Sequence, residues 1–505
     1  MPRLTAVATT FLFAAPASLI AQDGASVAAA VHSITAGDVR AHINLLAADS
    51  MRGRATPSPE LEQAASYIAG QFRAFALAPA GERGTYLQRY RVDRVRLDTL
   101  SSGIRVEGGP TWRFGQEVLF PGGELEDVEA RAPLVLVSGI PEAATAERLD
   151  VRDAIVLIVP STRRRVPASE ANAVITALRA RGAAALLVLA LTPDSLWPEM
   201  TRRQSQVLTR RSWDPRTAPI LWVRAPVAAS LLAAQGVDLA ATRGAGHALR
   251  ATDLGVRLSL TLRSQVVTSA SAPNVAALLE GGDATLKHQY VVFSAHMDHL
   301  GVQRPSTGRD SINNGADDNA SGTAAVLELA EAFAKLHPRP RRSLIFLTVS
   351  GEERGLWGSS AFTANPPVPI GQMVADFNLD MVGRNWKDSI VVIGREHSDL
   401  GATLARVSAA HPELRMATID DLWPEERFFF RSDHYNFARL GVPALFFFNG
   451  VHEDYHQPGD EPVKIDAEKE ARIARLVFYL GLEVANAAER PKWNPASYRQ
   501  IVEGR

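Results

Sequence analysis

Between residues 256 and 489 the chain alternates short apolar runs with amphipathic segments, and this alternation most constrains its fold. The runs QYVVFSA, RSLIFLTVS, MVADFNLDM, SIVVIG and PALFFF are strand-length and bounded by turns. Between them, GTAAVLELAEAFAKL and GATLARVSAAH carry helix spacing. The last helical segment, AEKEARIARLVFYLGLEVANAAER, puts Ile473, Leu476, Val477, Leu480 and Val484 on one face. Such alternation predicts an α/β domain around a mixed, largely parallel central sheet flanked by helices.

The rest of the chain has a different texture. Residues 33–96 read as helical, with ITAGDVRAHINLLAAD and LEQAASYIAGQFRAFAL separated by the turn-rich DSMRGRATPSPE. Residues 97–255 carry short strands such as APLVLVSG and DAIVLIVP, many arginines, and His247 as their one histidine. We expect a smaller, β-rich α/β domain at 97–255, inserted into a discontinuous domain of 33–96 and 256–489. The proline-broken, polar stretch 490–505 is expected to be a peripheral tail. At the start, Met1-Pro2-Arg3 precedes an apolar run at about 6–20 and then Ala21-Gln22. This predicts a signal peptide over 1–21 and an exported protein, periplasmic or secreted, with no stable membrane insertion after cleavage.

Composition narrows the chemistry. Lysine and arginine total 54 against 55 acidic residues. A dedicated nucleic-acid binder should carry a basic excess, so we expect no nucleic-acid partner. There is no cysteine, which excludes disulfides, thiolate metal sites and a cysteine nucleophile.

Five clusters of acidic residues or histidine lie in the last region, four of them just after an expected strand. Open α/β sheets bind ligands beyond the carboxyl ends of their strands. SAHMDHLG places His296 and Asp298 two apart; a metal-bound imidazole commonly gives its other N–H to a carboxylate. In NNGADDNASG, Asp317, Asp318 and Asn319 sit among small residues. A carboxylate there can bridge two ions, and the same residues can cap the following helix. VSGEERGLWGS offers Glu352 and Glu353, a pair that allows one metal ligand and one proton acceptor. In FNLDMVGRN, Asp380 is flanked by apolar residues, a costly position for an unpaired carboxylate. EDYHQPGDE offers Tyr455 and His456. Read singly, each cluster is equally a strand-end turn, a helix cap or a solvated loop.

The ordered set SAHMDHLG, NNGADDNASG, GEERG, NLDMVGR and DYHQPGDE resembles the co-catalytic di-zinc exopeptidases, the zinc aminopeptidases and their glutamate carboxypeptidase relatives. LLAADSMRGR and YLQRY are similar to that family's opening segment, and the insertion resembles a protease-associated domain. The resemblance implies two zinc ions per chain, a peptide substrate, and hydrolysis by a water shared between the ions. It implies His296 and Asp380 on one zinc, Glu353 and His456 on the other, and Asp318 bridging both. It implies Glu352 as general base, Asp298 orienting His296, Tyr455 at the oxyanion, and a cis peptide at Asp318–Asn319. Among exported relatives, aminopeptidase activity is the leading expectation. A carboxypeptidase or dipeptidase is the alternative, and a single-zinc glutaminyl cyclase-like acyltransferase is a weaker one. Phe429, Arg431 and Arg384 are candidate substrate-binding residues; His299, His337 and His452 are expected to be solvated or locally hydrogen-bonded.

Overall fold

The computed structural model describes residues 24–163, 167–213, 217–303 and 310–504. The expected signal peptide, 1–21, lies outside the described residues. The chain divides into two compact units, one of residues up to 89 with 272–505, the other of residues 90–271. The expected boundaries at 96/97 and 255/256 each fall inside a continuous strand, Leu87–Leu97 and Arg250–Leu262. The observed division, at 89/90 and 271/272, likewise falls inside strands, Leu87–Leu97 and Ser264–Leu279.

In the first unit four adjacent strands carry the architecture: β1 (Tyr290–His296), β2 (Ser343–Val349), β3 (Met373–Leu379) and β4 (Ala444–Phe447). They pair in parallel in the order β4-β3-β1-β2. Ser389–Ile393 adds antiparallel to β4, and residues 275–279 add antiparallel to β2. The sheet is therefore mixed with a parallel centre. Every residue of β2 and β3 is buried, because helices cover both faces of such a sheet and its strands read as unbroken apolar runs.

Two helices pack on this sheet, α1 (Gly322–Ala334) and α2 (Ala467–Asn486). Phe333 of α1 and Phe478 of α2 have ring centroids 4.4 Å apart, and Phe293 stacks on Phe346 at 5.5 Å within the sheet. A Cβ on Gly481 would stand 2.4 Å from the Phe293 ring, so glycine sets how closely α2 approaches. Asp466 caps α2 by accepting the Lys469 N–H. Ile473, Leu476, Val477, Leu480 and Val484 are all buried.

The segment 490–505 corrects the expected peripheral tail. It forms a helix, Pro495–Ile501, capped by Asn494. Ile501 is buried in one apolar cluster with Phe428 and Phe429, and the Trp493 indole donates to the Gly441 carbonyl at 2.9 Å. Its few apolar residues fall on the face that packs, a placement that average polarity hides.

The second unit has an eight-stranded sheet. Residues 134–139, 155–160, 185–190 and 220–224 form its parallel block, with antiparallel strands on either side. Along these strands alternate residues join different apolar clusters, Leu134, Leu136 and Leu157 in one, Val135, Val137 and Val156 in the other. Both faces are thus covered. Among the described residues no helix is long and apolar enough to cross a membrane.

Candidate metal centre

The parallel block of the first unit aims four chain segments at one place. His296 ends β1, Glu352 and Glu353 follow β2, Asp380 follows β3, and the 449–461 loop follows β4. Adjacent parallel strands end side by side, so these segments converge. Asp318 arrives from the turn before α1, and its peptide bond to Asn319 is cis. That turn needs Gly315 at φ 60°, where a Cβ would stand 2.4 Å from the Asp318 carbonyl oxygen.

The convergence has a definite geometry. His296 Nε2 lies 3.2 Å from Asp318 Oδ1 and 3.4 Å from Asp380 Oδ1. His456 Nε2 lies 3.2 Å from Asp318 Oδ2 and 3.3 Å from Glu353 Oε2. Asp318 therefore turns one oxygen to each set. Donors held roughly 2.0–2.1 Å from a tetrahedral zinc stand about 3.3–3.4 Å from one another, and the observed spacings match. Asp380 Oδ1 is buried without a hydrogen bond. Desolvated carboxylate oxygens need a compensating partner, and a cation supplies one. With nitrogen and oxygen donors only, the set fits zinc.

The electrostatics describe a site rich in negative charge. Burial works against the His456 imidazolium, but Asp318 and Glu353 carry it up to about 10. Burial likewise opposes a charged His296, and Asp380, Asp298 and Asp318 outweigh it and hold that group well above the usual histidine range. For Glu352 burial acts first, and Asp433, Asp380 and Glu353 add to it against the pull of His296, so its carboxyl sits well above the usual range. Burial and the nearby carboxylates also raise the Tyr455 phenol, which keeps it a proton donor. Its ring stacks on His456 with centroids 3.8 Å apart.

Neighbouring groups hold these residues. The Asp298 backbone carbonyl is 3.1 Å from His296 Nδ1, nearer than its carboxylate at 3.7 Å. The carboxylate instead accepts from Thr56 Oγ1 at 2.8 Å, and Thr56 accepts the Gly351 N–H beside Glu352. Ser432 donates to Asp380 Oδ2 at 2.9 Å. Asp460 accepts the backbone N–H groups of Asp317 and Asp318, so it supports the Asp318 turn. Arg54 is fully buried and donates to the carbonyls of Leu46, Met297, Asn314 and Gly315. One guanidinium thereby ties the His296 loop to the Asp318 turn. Its fork geometry suits several carbonyls at once.

The structure places three of the expected residues as follows. Arg384 is paired with Asp454 at 2.5 Å, stands 3.1 Å from His452, and is not among the residues that line the cavity. Phe429 is buried against His397 and His434; Phe428, Phe446 and Phe448 line the cavity instead, with Met381. His299, expected to be solvated or locally hydrogen-bonded, is buried with Nδ1 2.7 Å from Glu353 Oε1. Arg431 does line the cavity, beside His296, Glu352, Tyr455 and His456, with its guanidinium over the Phe428 ring. Arg54 was not singled out from the sequence; its one signal was its place in LLAADSMRGR.

The parallel centre of the sheet thus ends in a buried cluster of imidazoles and carboxylates that can hold metal ions. Residues 274–481 match the sequence profile of peptidase family M28. The chain is similar to a probable leucine aminopeptidase of Arthroderma otae, 27% identical over 223 residues, 43% of this chain and 58% of that protein. It is also similar to the aminopeptidase YwaD of Bacillus subtilis, 24% identical over 46% of this chain and 49% of that protein. The chain thus spans about half the length of these curated relatives. Among solved structures, an aminopeptidase from Aneurinibacillus sp. strain AM-1 aligns with 92% of this chain and 97% of its own, at 20% identity and a TM-score of 0.46.

Proposed function

We propose that this chain is a zinc-dependent exopeptidase that removes N-terminal residues from peptides. The observation that carries the reading is Asp318, whose two oxygens face two separate imidazole–carboxylate pairs. In this reading His296 and Asp380 hold one zinc, His456 and Glu353 hold a second, and Asp318 serves both. Zinc bound there polarises a carbonyl and acidifies water. Glu352, at the cavity wall, takes the proton of the attacking water and passes it to the departing amine. Tyr455, kept as the phenol, donates a hydrogen bond to the oxygen that gains charge. Asp298 fixes the tautomer of His296 through its carbonyl. Met381, Phe428, Phe446 and Phe448 form an apolar wall suited to a side chain next to the cleaved bond.

The names of the relatives favour an aminopeptidase. Arg431 at the same cavity supports a second reading, a dipeptidase or carboxypeptidase that pairs this guanidinium with a substrate carboxylate. Mass spectrometry of one peptide in three forms separates them: free, N-acetylated and C-amidated. Aminopeptidase action is blocked by acetylation and indifferent to amidation; the reverse pattern replaces it with a carboxypeptidase. Conversion of an N-terminal glutamine to a ring, with no peptide cleaved, would assign a glutaminyl cyclase-like acyltransferase. Export is part of the reading and rests on the apolar run at about 6–20; N-terminal sequencing of protein recovered outside the cytoplasm checks it. We read residues 97–255, within the second unit, as a protease-associated-like domain on the texture of their strands.

A further inference from the structure

His299 is 1% exposed, its Nε2 has no hydrogen-bond partner, and its Nδ1 has the Glu353 carboxylate within 2.7 Å. Leaving a group such as Nε2 buried and unpaired costs about 1–3 kcal/mol, so packing alone is a poor reason for a histidine here. Its surroundings indicate another. Nδ1 stands 2.7 Å from Glu353 Oε1 and 3.8 Å from Asp318 Oδ2. The other oxygen of the Glu353 carboxylate faces His456 Nε2 at 3.3 Å. The His299 and His456 rings meet edge to face with centroids 5.8 Å apart. Behind the ring, a Cβ on Gly315 would lie 2.6 Å from Cγ, so the imidazole has little room to swing away. Nothing in the five expected ligands accounts for this residue.

We propose that His299 is a positioning residue for the Glu353 side of the metal centre. Its Nδ1–H holds Glu353 Oε1 and leaves Oε2 turned toward His456 and the ion. The inference rests on the two-zinc reading above. It is asymmetric, because His299 sits by Asp318 Oδ2, whereas His296 and Asp380 gather at Oδ1. Metal-ligating carboxylates are themselves hydrogen-bonded, and losing such a partner costs roughly 10–100-fold in metal affinity. One ion of the two should feel that loss.

The test is zinc affinity, read by competition with a chromophoric chelator on the full chain, with thermal unfolding of the metal-free protein as the check on folding. His299→Ala and His299→Phe should each weaken one zinc by roughly 10–100-fold and leave the other unchanged. His299→Asn, whose amide N–H can stand where Nδ1–H stands, should recover most of the loss. His299→Gln, whose amide reaches toward the Nε2 position, should not. The Asn–Gln contrast carries the test by itself if the Ala and Phe variants fail to fold. Wild-type affinity in His299→Phe, equal behaviour of Asn and Gln, or equal weakening of both ions overturns the proposal. A wild-type chain that binds fewer than two zinc ions overturns the two-zinc reading, and the His299 inference falls with it. Two ions bound normally with no asymmetry in the variants overturns the His299 inference alone.

Discussion

The two units use one structural vocabulary to different ends. Each has a block of four parallel strands with helices, 134–139 to 220–224 in one and β4-β3-β1-β2 in the other. In the second unit the strand ends pass into Ser161, Leu191 and Ala225, and its buried polar residues are few: Asp93, Ser102, Ser138, Ser161 and Gln204 among those described. In the first unit the corresponding ends carry His296, Glu352, Glu353 and Asp380, with Asp298, Asp318 and Asp433 buried around them. Buried carboxylates are costly unless paired or bound to a cation. Parallel topology therefore offers a place for a site, and the concentration of that cost shows which unit uses it.

The sharpest way to break this comparison is to remove a strand-end group from each unit. Asp318→Ala should abolish peptide cleavage and strip zinc from both positions, measured by elemental analysis. Ser161→Ala in the second unit loses the hydrogen bond donated to the Ala245 carbonyl and the one accepted from the Arg163 N–H; it should cost about 1–3 kcal/mol of stability and leave zinc content unchanged. A fall in zinc with Ser161→Ala would mean that the units are not chemically separate. Next in size, Glu352→Gln should lower kcat by roughly 10²–10⁴-fold while two zinc ions stay bound, seen by pairing steady-state rates with metal content. Loss of zinc in that variant would make Glu352 a ligand rather than a base.

Stability changes sharpen the contrast further. Leu157→Ala, in the core of the second unit, should cost about 2–5 kcal/mol without altering zinc affinity. Arg54→Gln leaves carbonyls of Leu46, Met297, Asn314 and Gly315 short of a donor at about 1–3 kcal/mol each. Denaturant unfolding alone would make these two look alike, but only Arg54→Gln should also weaken zinc. The smallest effect is expected at the cavity mouth. Arg431→Ala should raise KM roughly two- to five-fold for a substrate with a nearby carboxylate, and Arg384→Lys should leave KM alone. A KM change only at Arg384 would reverse the assignment made from its pair with Asp454.

Much of the first unit was legible because buried parallel strands read as unbroken apolar runs and amphipathic helices as one-sided ones. Phe428, Phe429 and Phe430 were not separable in this way. They form a tight turn after Arg427, itself at φ 53°, so successive rings point in different directions and one of the three lines the cavity. The partner of Arg384, Asp454, is 70 residues further on, beyond any local pattern. His299 was visible in SAHMDHLG, but nothing local told a buried imidazole from a solvated one.

The amino-acid sequence by itself determined the period of each segment, the placing of chemistry at strand ends and, by lacking cysteine, a nitrogen and oxygen donor set. Tertiary structure decided which atoms meet. It turned the two oxygens of Asp318 to different imidazoles, set His299 against Glu353, and ran Arg54 to the carbonyl of Gly315, 261 residues away in the chain. The reason is physical: periodicity reports which side of an element is buried, whereas ligation and hydrogen bonding depend on ångström distances between residues that only the packed sheet brings together.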